Sequence, residues 1–550
     1  MLIERQLKKE EKEPFSPLIN KIHYQQGRQM DQEIFVKASA RFETSVSIPQ
    51  ALARYLYINV RDFAEALKWA EKAKNIEGNP YTVDTIGEIH KSNLKSNIEA
   101  KKQDISQNPE DLYRNIEIAK NGWKAFQRAQ ELSDLEIERE KEAADDDLED
   151  YPMKSYNIKG YVSMLDISFL VFDILSRLPF FEKQNPMKKH YLRSFLNGCI
   201  SINTVYRENS TVNTRYVEII REHEPFLVGL KPEVKEIFDF LNSYFTYIKG
   251  NSELDRVNHR TVSDHFRKYV NLFCATPDER RKEQENKTNL SLKLNVEESK
   301  RFLEKNQADT FSGILQYLDK SVKEAEQIIE CYAFLLTNTV NERHVKTKIN
   351  YIMSNIVLYH LKEKSKHVKK YQDLCALLQE VLQDVGLQHP FPDPYFLALL
   401  LFWPSPTEEN TDIAKYVVAI RKSSHKHLSK LFQKRSTIAH FYLGKDGGLK
   451  RLVSKPSLDE GFLEKMERDV LAQLWWNGEI FKEEAIMSRL YRVRGTIEQG
   501  EVYANYGKQK IPVRPARLRG IRSGFSTEKV SFYIGFAING PLAYDIKYEN

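Results

Sequence analysis

A chain of 550 residues, 41% hydrophobic and 29% charged with a formal net charge of +6, is too long for one core and too apolar for a disordered polymer. Its four cysteines, Cys199, Cys274, Cys331 and Cys375, lie far apart with no C-x-x-C pair, which excludes a disulfide scaffold or a zinc ribbon and points to a reducing compartment. The N-terminus has no apolar core of signal-peptide length, so a cytoplasmic protein of several domains is expected.

Residues 1–30 form a polar segment broken by Pro14 and Pro17. From 31 to 132 the pattern is helical. Ala53, Tyr57, Phe63, Ala66, Ala70 and Ala73 place small and aromatic residues where two helices can approach closely. A similar unit opens at Pro80, with Ile86-Gly87 standing 33 positions after Ala53-Arg54. A period near 34 is that of tetratricopeptide-like repeats. Residues 133–155 are a charge run read as an acidic linker; its Asp145, Asp146 and Asp147 lack the spacing of a calcium loop.

A second helical array is expected over 156–435, with apolar residues at helical spacing in Val234-Ile237-Phe238-Leu241-Phe245 and Ile349-Ile352-Ile356-Tyr359. Its most hydrophobic run, 161–178, carries Asp166, Asp173 and Arg177, which marks a core helix and not a membrane span. The lysines of 362–370 read as a solvated helix face, and such arrays commonly serve as binding scaffolds for protein partners.

Residues 436–550 read as an α+β region. A strand over 437–443 precedes Gly444-Lys-Asp-Gly-Gly448, which lacks phosphate-loop spacing and reads as a hairpin turn. A helix is expected over 458–481. Five strands follow, near 488–498, 501–506, 510–519, 529–538 and 542–548. In the fourth, Val530, Phe532, Ile534, Phe536 and Ile538 alternate at period two, and Asn539-Gly540 marks a hairpin whose type I′ turn requires positive φ at both central residues. The fold class is therefore mainly α, a helical-repeat array with a small C-terminal β domain.

Charge concentrates in that β domain. Ten lysines and arginines face three acids between 489 and 529, a larger excess than that of the whole chain. Arg489, Arg492, Arg494, Lys508, Lys510, Arg514, Arg517, Arg519 and Arg522 are candidates for phosphate contact, and Tyr503, Tyr506 and Tyr533 for base stacking. Arg492 and Arg494 share a strand face, as do Arg517 and Arg519. The bland alternative is a charged sheet that resists edge pairing. No nucleophile elbow, H-E-x-x-H or dinucleotide fingerprint occurs, and neither cofactor, metal nor catalysis is expected; an enzyme would need His440 and scattered carboxylates to meet in space, a third and weaker option.

Ser47-Ile-Pro-Gln-Ala-Leu-Ala-Arg54, Phe441-Tyr-Leu-Gly-Lys445, Leu490-Tyr-Arg-Val-Arg-Gly-Thr-Ile497, Pro512-Val-Arg-Pro-Ala516, Phe532-Tyr-Ile-Gly-Phe536 and Gly540-Pro-Leu-Ala-Tyr-Asp545 together resemble the C-terminal part of the sterile alpha motif domain-containing protein 9 and 9-like family. The resemblance implies tetratricopeptide-like helices followed by an OB-fold-like barrel or sheet at about 486–550. It implies further an interferon-induced antiviral and antiproliferative effector of innate immunity, which restrains translation and affects endosomal traffic. The sterile alpha motif, Schlafen-like module and P-loop ATPase of such proteins are absent here, so the sequence resembles a fragment or truncated paralogue and their activities are not carried over. Only about ten residues, 520–529, are available for the usual helix between strands three and four. The expected function is a non-enzymatic scaffold whose basic β domain contacts nucleic acid, RNA or DNA, with RNA favoured. The alternative is a regulatory or assembly arm whose basic domain docks an acidic protein surface, with no nucleic-acid role.

Overall fold

The computed structural model describes residues 28–100, 108–143, 158–181, 186–208, 213–248, 253–274, 291–338, 344–405, 413–428, 437–463, 466–517, 521 and 527–549. The chain divides into two compact units, one of 1–241 with 253–282 and the other of 242–252 with 283–550.

The first unit is helical. Helices α1 (Arg28–Arg41), α2 (Ser47–Tyr55), α3 (Phe63–Ile76), α4 (Pro80–Ala100), α5 (Pro109–Ala143) and α6 (Lys159–Leu175) each pack on the next, as expected of a helical array. The alanines that suggested close helix approach do this: Ala66, Ala70 and Ala73 are fully buried. Gly87 faces the ring of Phe126 so closely that a Cβ would lie 2.6 Å from it. α6 carries the apolar run 161–178 as far as Leu175, and the charges of the run are partnered as a core segment requires. Asp166 accepts from Lys91 (3.3 Å) and pairs with His265 (2.8 Å), and Arg177 pairs with Asp173. α5 continues to Ala143, so the expected acidic linker is helical over its first residues; Asp145, Asp146 and Asp147 lie outside the described residues.

The chain continues through α7 (Pro186–Leu196), α8 (Ile202–Glu208), α9 (Thr214–Tyr247), α10 (Glu253–Phe273), α11 (Ser291–Lys305) and α12 (Phe311–Leu315). In the second unit α13 (Val322–Asn338), α14 (Val345–Leu361), α15 (Tyr371–Val385), α16 (Asp393–Phe402) and α17 (Ile413–His427) pack in succession. α16 is apolar on every side, and Tyr395 to Leu401 are fully buried. The lysine run 362–370 is not helical: it is the turn-rich connection between α14 and α15. The single helix expected over 458–481 is divided into α18 (Lys455–Leu463) and α19 (Arg468–Asn477), which ends at Gly478 with φ 71°, a left-handed cap that glycine adopts without steric cost. A short helix, α20 (Glu484–Met487), leads into the sheet.

Among the described residues seven strands form one sheet: β1 (Ala439–Leu443), β2 (Leu452–Ser454), β3 (Arg492–Glu498), β4 (Glu501–Tyr506), β5 (Gln509–Pro515), β6 (Glu528–Ala537) and β7 (Gly540–Tyr548). The order is β2-β1-β6-β3-β4-β5-β7, with β7 returning to β6. β3 to β7 therefore close a five-stranded barrel, and β5 and β7 are parallel while the other pairs are antiparallel. A meander of three strands, with the third parallel to the fifth and the fourth beside the first, is OB-fold topology. β1 and β2 extend it from β6, and Gly444 lies in their hairpin connection as read from sequence. Most of the interval between β5 and β6 lies outside the described residues.

The turn chemistry differs from expectation at one place. The β6–β7 loop is Ile538-Asn539, with Gly540 (φ 122°) opening β7 and Asn539 not in a positive-φ conformation. The two-residue turn with positive φ at both positions is instead Gln499 (φ 53°)-Gly500 (φ 84°), between β3 and β4. Inside the barrel, Val493, Ile497, Val502, Ala504, Ile511, Val513, Val530, Phe532 and Ile534 are buried. Gly495 takes the one inward position where a Cβ would lie 2.1 Å from the Tyr503 carbonyl oxygen and 2.6 Å from the Phe532 ring.

Candidate nucleic-acid interface

Period-two alternation sends Val493, Ile497, Val502, Ala504, Ile511 and Val513 inward, and therefore Arg494, Thr496, Tyr503, Asn505, Lys510 and Pro512 outward. Cross-strand register then builds rows. Lys510 pairs with Asn505, Asn505 stands one residue beyond the Gly495–Ala504 pair and so beside Arg494, Arg494 pairs with Ser531, and Ser531 with Lys547. The next row runs Pro512, Tyr503, Thr496, Lys529. Beyond it Glu498 faces Glu501. The outer face is thus basic at one end and acidic at the other.

The candidate cations do not all serve this face. Arg492 points outward, but its guanidinium is fully engaged within the chain. Nε donates to Ser531 Oγ (3.1 Å), Nη1 to Asp545 Oδ2 (2.8 Å), and Nη2 to the backbone oxygens of Ser531 (3.1 Å) and Asp545 (2.6 Å). It lies 4.7 Å from the centre of the Tyr533 ring. Asp545 has φ 50°, a left-handed conformation that Asp tolerates. Arg489 donates to the carbonyl and hydroxyl of Ser457, and Arg514 to the carbonyl of Asn539 (2.9 Å). Lys510 pairs with Glu498, holding that carboxyl below its ordinary value. Arg494, Lys508 and Arg517 are exposed, with no ion pair or side-chain hydrogen bond among the described residues. Arg519 and Arg522 lie outside the described residues, so the shared face expected of Arg517 and Arg519 does too.

Two of the three tyrosines are corrected as stacking platforms. Tyr506 is buried at the end of the barrel, where its hydroxyl accepts from Trp403 Nε1 (2.9 Å) and burial pushes its pKa up. Tyr533 is 4% exposed, stacked on Phe481 at 5.7 Å. Neither offers a ring face to a base. Tyr503 remains half-buried on the outer face, its hydroxyl donating to Glu501. The expected convergence of guanidiniums thus reduces to Arg494 in a mixed row.

Three groups were missed as site residues. Lys529 and Lys547 enter the rows through β6 and β7, and their alternation with inward residues was a usable signal. Arg421 was not legible, because it arrives on a helix. α17 lies against β5 and β7, Ser424 Oγ donating to the Ile538 carbonyl (3.3 Å) and Ile420 lying near Gly540. Burial lowers the pKa of Arg421, and the charge of Arg514 lowers it further, while Glu501 and Tyr503 oppose them. Oligomers bind OB folds across the second and third strands, between the loops that here contain 499–500 and 538–539. α17 packs at the Arg514 and 538–540 side of that ground, leaving the Lys510, Arg494 and Lys529 side exposed. His440 is buried against Tyr247, in a T-shaped contact at 6.0 Å, and burial lowers its pKa to about 4. Among the described residues no group of three or more metal-ligating side chains converges, and no helix is long and apolar enough to cross a membrane.

A helical array joined to an OB-type barrel with a mixed basic face defines the class of this protein. No family model matches the sequence. Against curated proteins, the chain is 35% identical over 553 residues to human sterile alpha motif domain-containing protein 9, covering 97% of this chain and 34% of that protein. It is 33% identical over 548 residues to human sterile alpha motif domain-containing protein 9-like, covering 97% and 33%, and 32% identical over 551 residues to the mouse 9-like protein. The chain belongs to the sterile alpha motif domain-containing protein 9 and 9-like family, and spans about a third of the length of the relatives it matches.

Proposed function

We propose that the chain is a non-enzymatic interaction scaffold of the cytoplasm, whose helices hold protein partners and whose barrel contacts the phosphate backbone of RNA. As part of the wider reading it acts within an antiviral and growth-restraining effector of translation and endosomal traffic. The observation that carries the nucleic-acid contact is the pair of exposed cations Arg494 and Lys529 on the adjacent strands β3 and β6, neither with an ion pair among the described residues, with the half-buried ring of Tyr503 in the same row as Lys529. The wider row Lys510–Asn505–Arg494–Ser531–Lys547 crosses all five strands of the closed barrel, so its cations are spread around the circumference. Lys510 is paired with Glu498 and Lys547 with Asp545 (3.5 Å), and Arg494 with Lys529 forms the open pair on adjacent strands. That suits backbone contact, which gives affinity without sequence choice.

The competing reading, a regulatory arm docking an acidic protein surface, draws support from α17, which already packs against the barrel as a protein element would. Salt-titrated binding of the 550-residue chain to single-stranded and duplex RNA separates the two. Phosphate contact predicts a log–log salt slope that falls by about 0.7–0.9 for each cation removed in Arg494→Ala/Lys529→Ala. An unchanged slope rejects the barrel contact and favours docking.

A further inference from the structure

The connection between α14 and α15 is a second basic surface, and it is built rigidly. Its backbone is tied from several sides. Ser365 N donates to the Lys362 carbonyl (3.0 Å) and Val368 N to the Ser365 carbonyl (3.2 Å). Ser365 Oγ donates to Glu326 (2.7 Å). Lys369 N donates to Oδ1 of Asn355 (2.9 Å), a fully buried amide that itself donates to the Tyr351 carbonyl (2.8 Å). The β1–β2 connection lies beside it, held by Lys450 to Glu363 (3.1 Å) and by Arg451 Nη2 to the Tyr371 hydroxyl (3.1 Å).

Together 362–370 and 444–450 carry seven lysines against two acids, Glu363 and Asp446. Three nearby acids are already paired: Glu326 with Lys362 (3.2 Å), Glu330 with His367 (3.5 Å) and Glu363 with Lys450. Lys364, Lys366, Lys369, Lys370 and Lys445 are exposed, with no ion pair or side-chain hydrogen bond among the described residues. An untethered lysine loop would spread its charges to relieve repulsion. Here the backbone keeps five of them on neighbouring segments, a cost that an anionic partner offsets.

The nature of the side chains selects the partner. Lysine is depleted at protein–protein interfaces, where arginine and aromatics prevail. Membrane attachment by a basic patch needs a second, apolar anchor, and the one aliphatic side chain of the loop, Val368, is half-buried. Single strands require aromatic platforms, and the loop has none, His367 being turned to Glu330. Closely spaced lysines without rings suit the phosphates of a double helix. We propose that the α14–α15 connection, with the adjoining β1–β2 connection, docks the phosphate backbone of a nucleic-acid duplex.

This inference does not rest on the barrel reading, and one experiment separates them. Anisotropy of a 30-base-pair duplex RNA is measured with the 550-residue chain from 50 to 250 mM salt, alongside sedimentation with vesicles one-third phosphatidylserine. Lys364→Ala/Lys366→Ala/Lys369→Ala/Lys370→Ala should lower the salt slope by about three to four, and weaken binding at least tenfold at 150 mM. The same four positions changed to arginine should restore both, and the exposed, unpaired side chains leave the melting temperature within about 1 °C. The proposal is overturned if the alanine variant keeps the parental slope, if the parent chain does not bind duplex at 50 mM, or if only vesicle binding responds. Loss confined to Arg494→Ala/Lys529→Ala would sustain the barrel contact and reject this one; loss confined to the lysine variant would do the reverse.

Discussion

Replacing Arg451 by methionine tests how the barrel is fixed to the helices beneath it within the second unit. Arg451 is 9% exposed, and its Nη1 donates to the Trp403 carbonyl at 2.6 Å while Nη2 reaches the Leu401 carbonyl and the Tyr371 hydroxyl. These carbonyls belong to the C-terminal end of α16, where backbone oxygens lack intrahelical donors and the helix dipole favours a cation. Methionine fills a similar volume but donates nothing. Leu401 keeps the Tyr371 hydroxyl as a donor, so the principal loss is the Trp403 carbonyl, orphaned beside an indole that anchors Tyr506. A buried orphan costs about 1–3 kcal/mol, and losing the charge-assisted bonds brings the total to about 3 kcal/mol. Burying a guanidinium is itself costly, which limits the net effect. At about 2 °C per kcal/mol for a unit of this size, calorimetry should record a fall of about 6 °C, and Arg451→Lys, which keeps one donor, about half of that. A methionine variant melting within about 1 °C of the parent refutes the capping argument.

Arg492 and Arg494 should separate architecture from interface. Arg492→Ala leaves the Asp545 carboxylate only its longer pair with Lys547 (3.5 Å) and removes the bonds to Ser531 and the Asp545 carbonyl, which should cost about 1–3 kcal/mol by chemical denaturation, whereas Arg494→Ala should stay within about 0.5 kcal/mol; equal costs would refute the distinction. For His440, burial depresses the folded pKa to about 4 from an ordinary 6.5, so the unfolded chain takes up its proton first and stability falls as pH drops from 6.5 towards 4. That loss is about 1.4 kcal/mol per pH unit. Asp393, raised by burial to about 7, works in the opposite direction, gaining stability as pH falls below 7. The observable is therefore the difference between the parent and His440→Gln, whose denaturation midpoints should converge on acidification; parallel pH profiles would contradict a neutral buried imidazole.

What the sequence disclosed, and what it withheld, follows from the range of the interactions concerned. Strands were legible because side-chain alternation is local: Val530 to Ile538 reads as one buried face, and the barrel's interior is that face. The same alternation put Tyr503 and Tyr506 on opposite sides, so the burial of Tyr506 was available to a stricter use of period two. The fate of charges was not local. Arg492 is neutralised by Asp545, 53 residues away, and the Tyr506 hydroxyl is held by the Trp403 indole, 103 residues away; no window on the sequence joins them. The lysine run 362–370 misled for a related reason. Its lysines read as the solvated side of a helix, but Glu326 and Asn355, on α13 and α14, satisfy the loop's backbone and Ser365 in a non-helical path. A cation on a solvated helix face is free to move with its neighbours, while one on a tethered loop is held where a partner can find it. Hence the surface that composition alone placed on the β domain divides, in the fold, between a barrel row diluted by internal ion pairs and a lysine loop whose unpaired charges are intact.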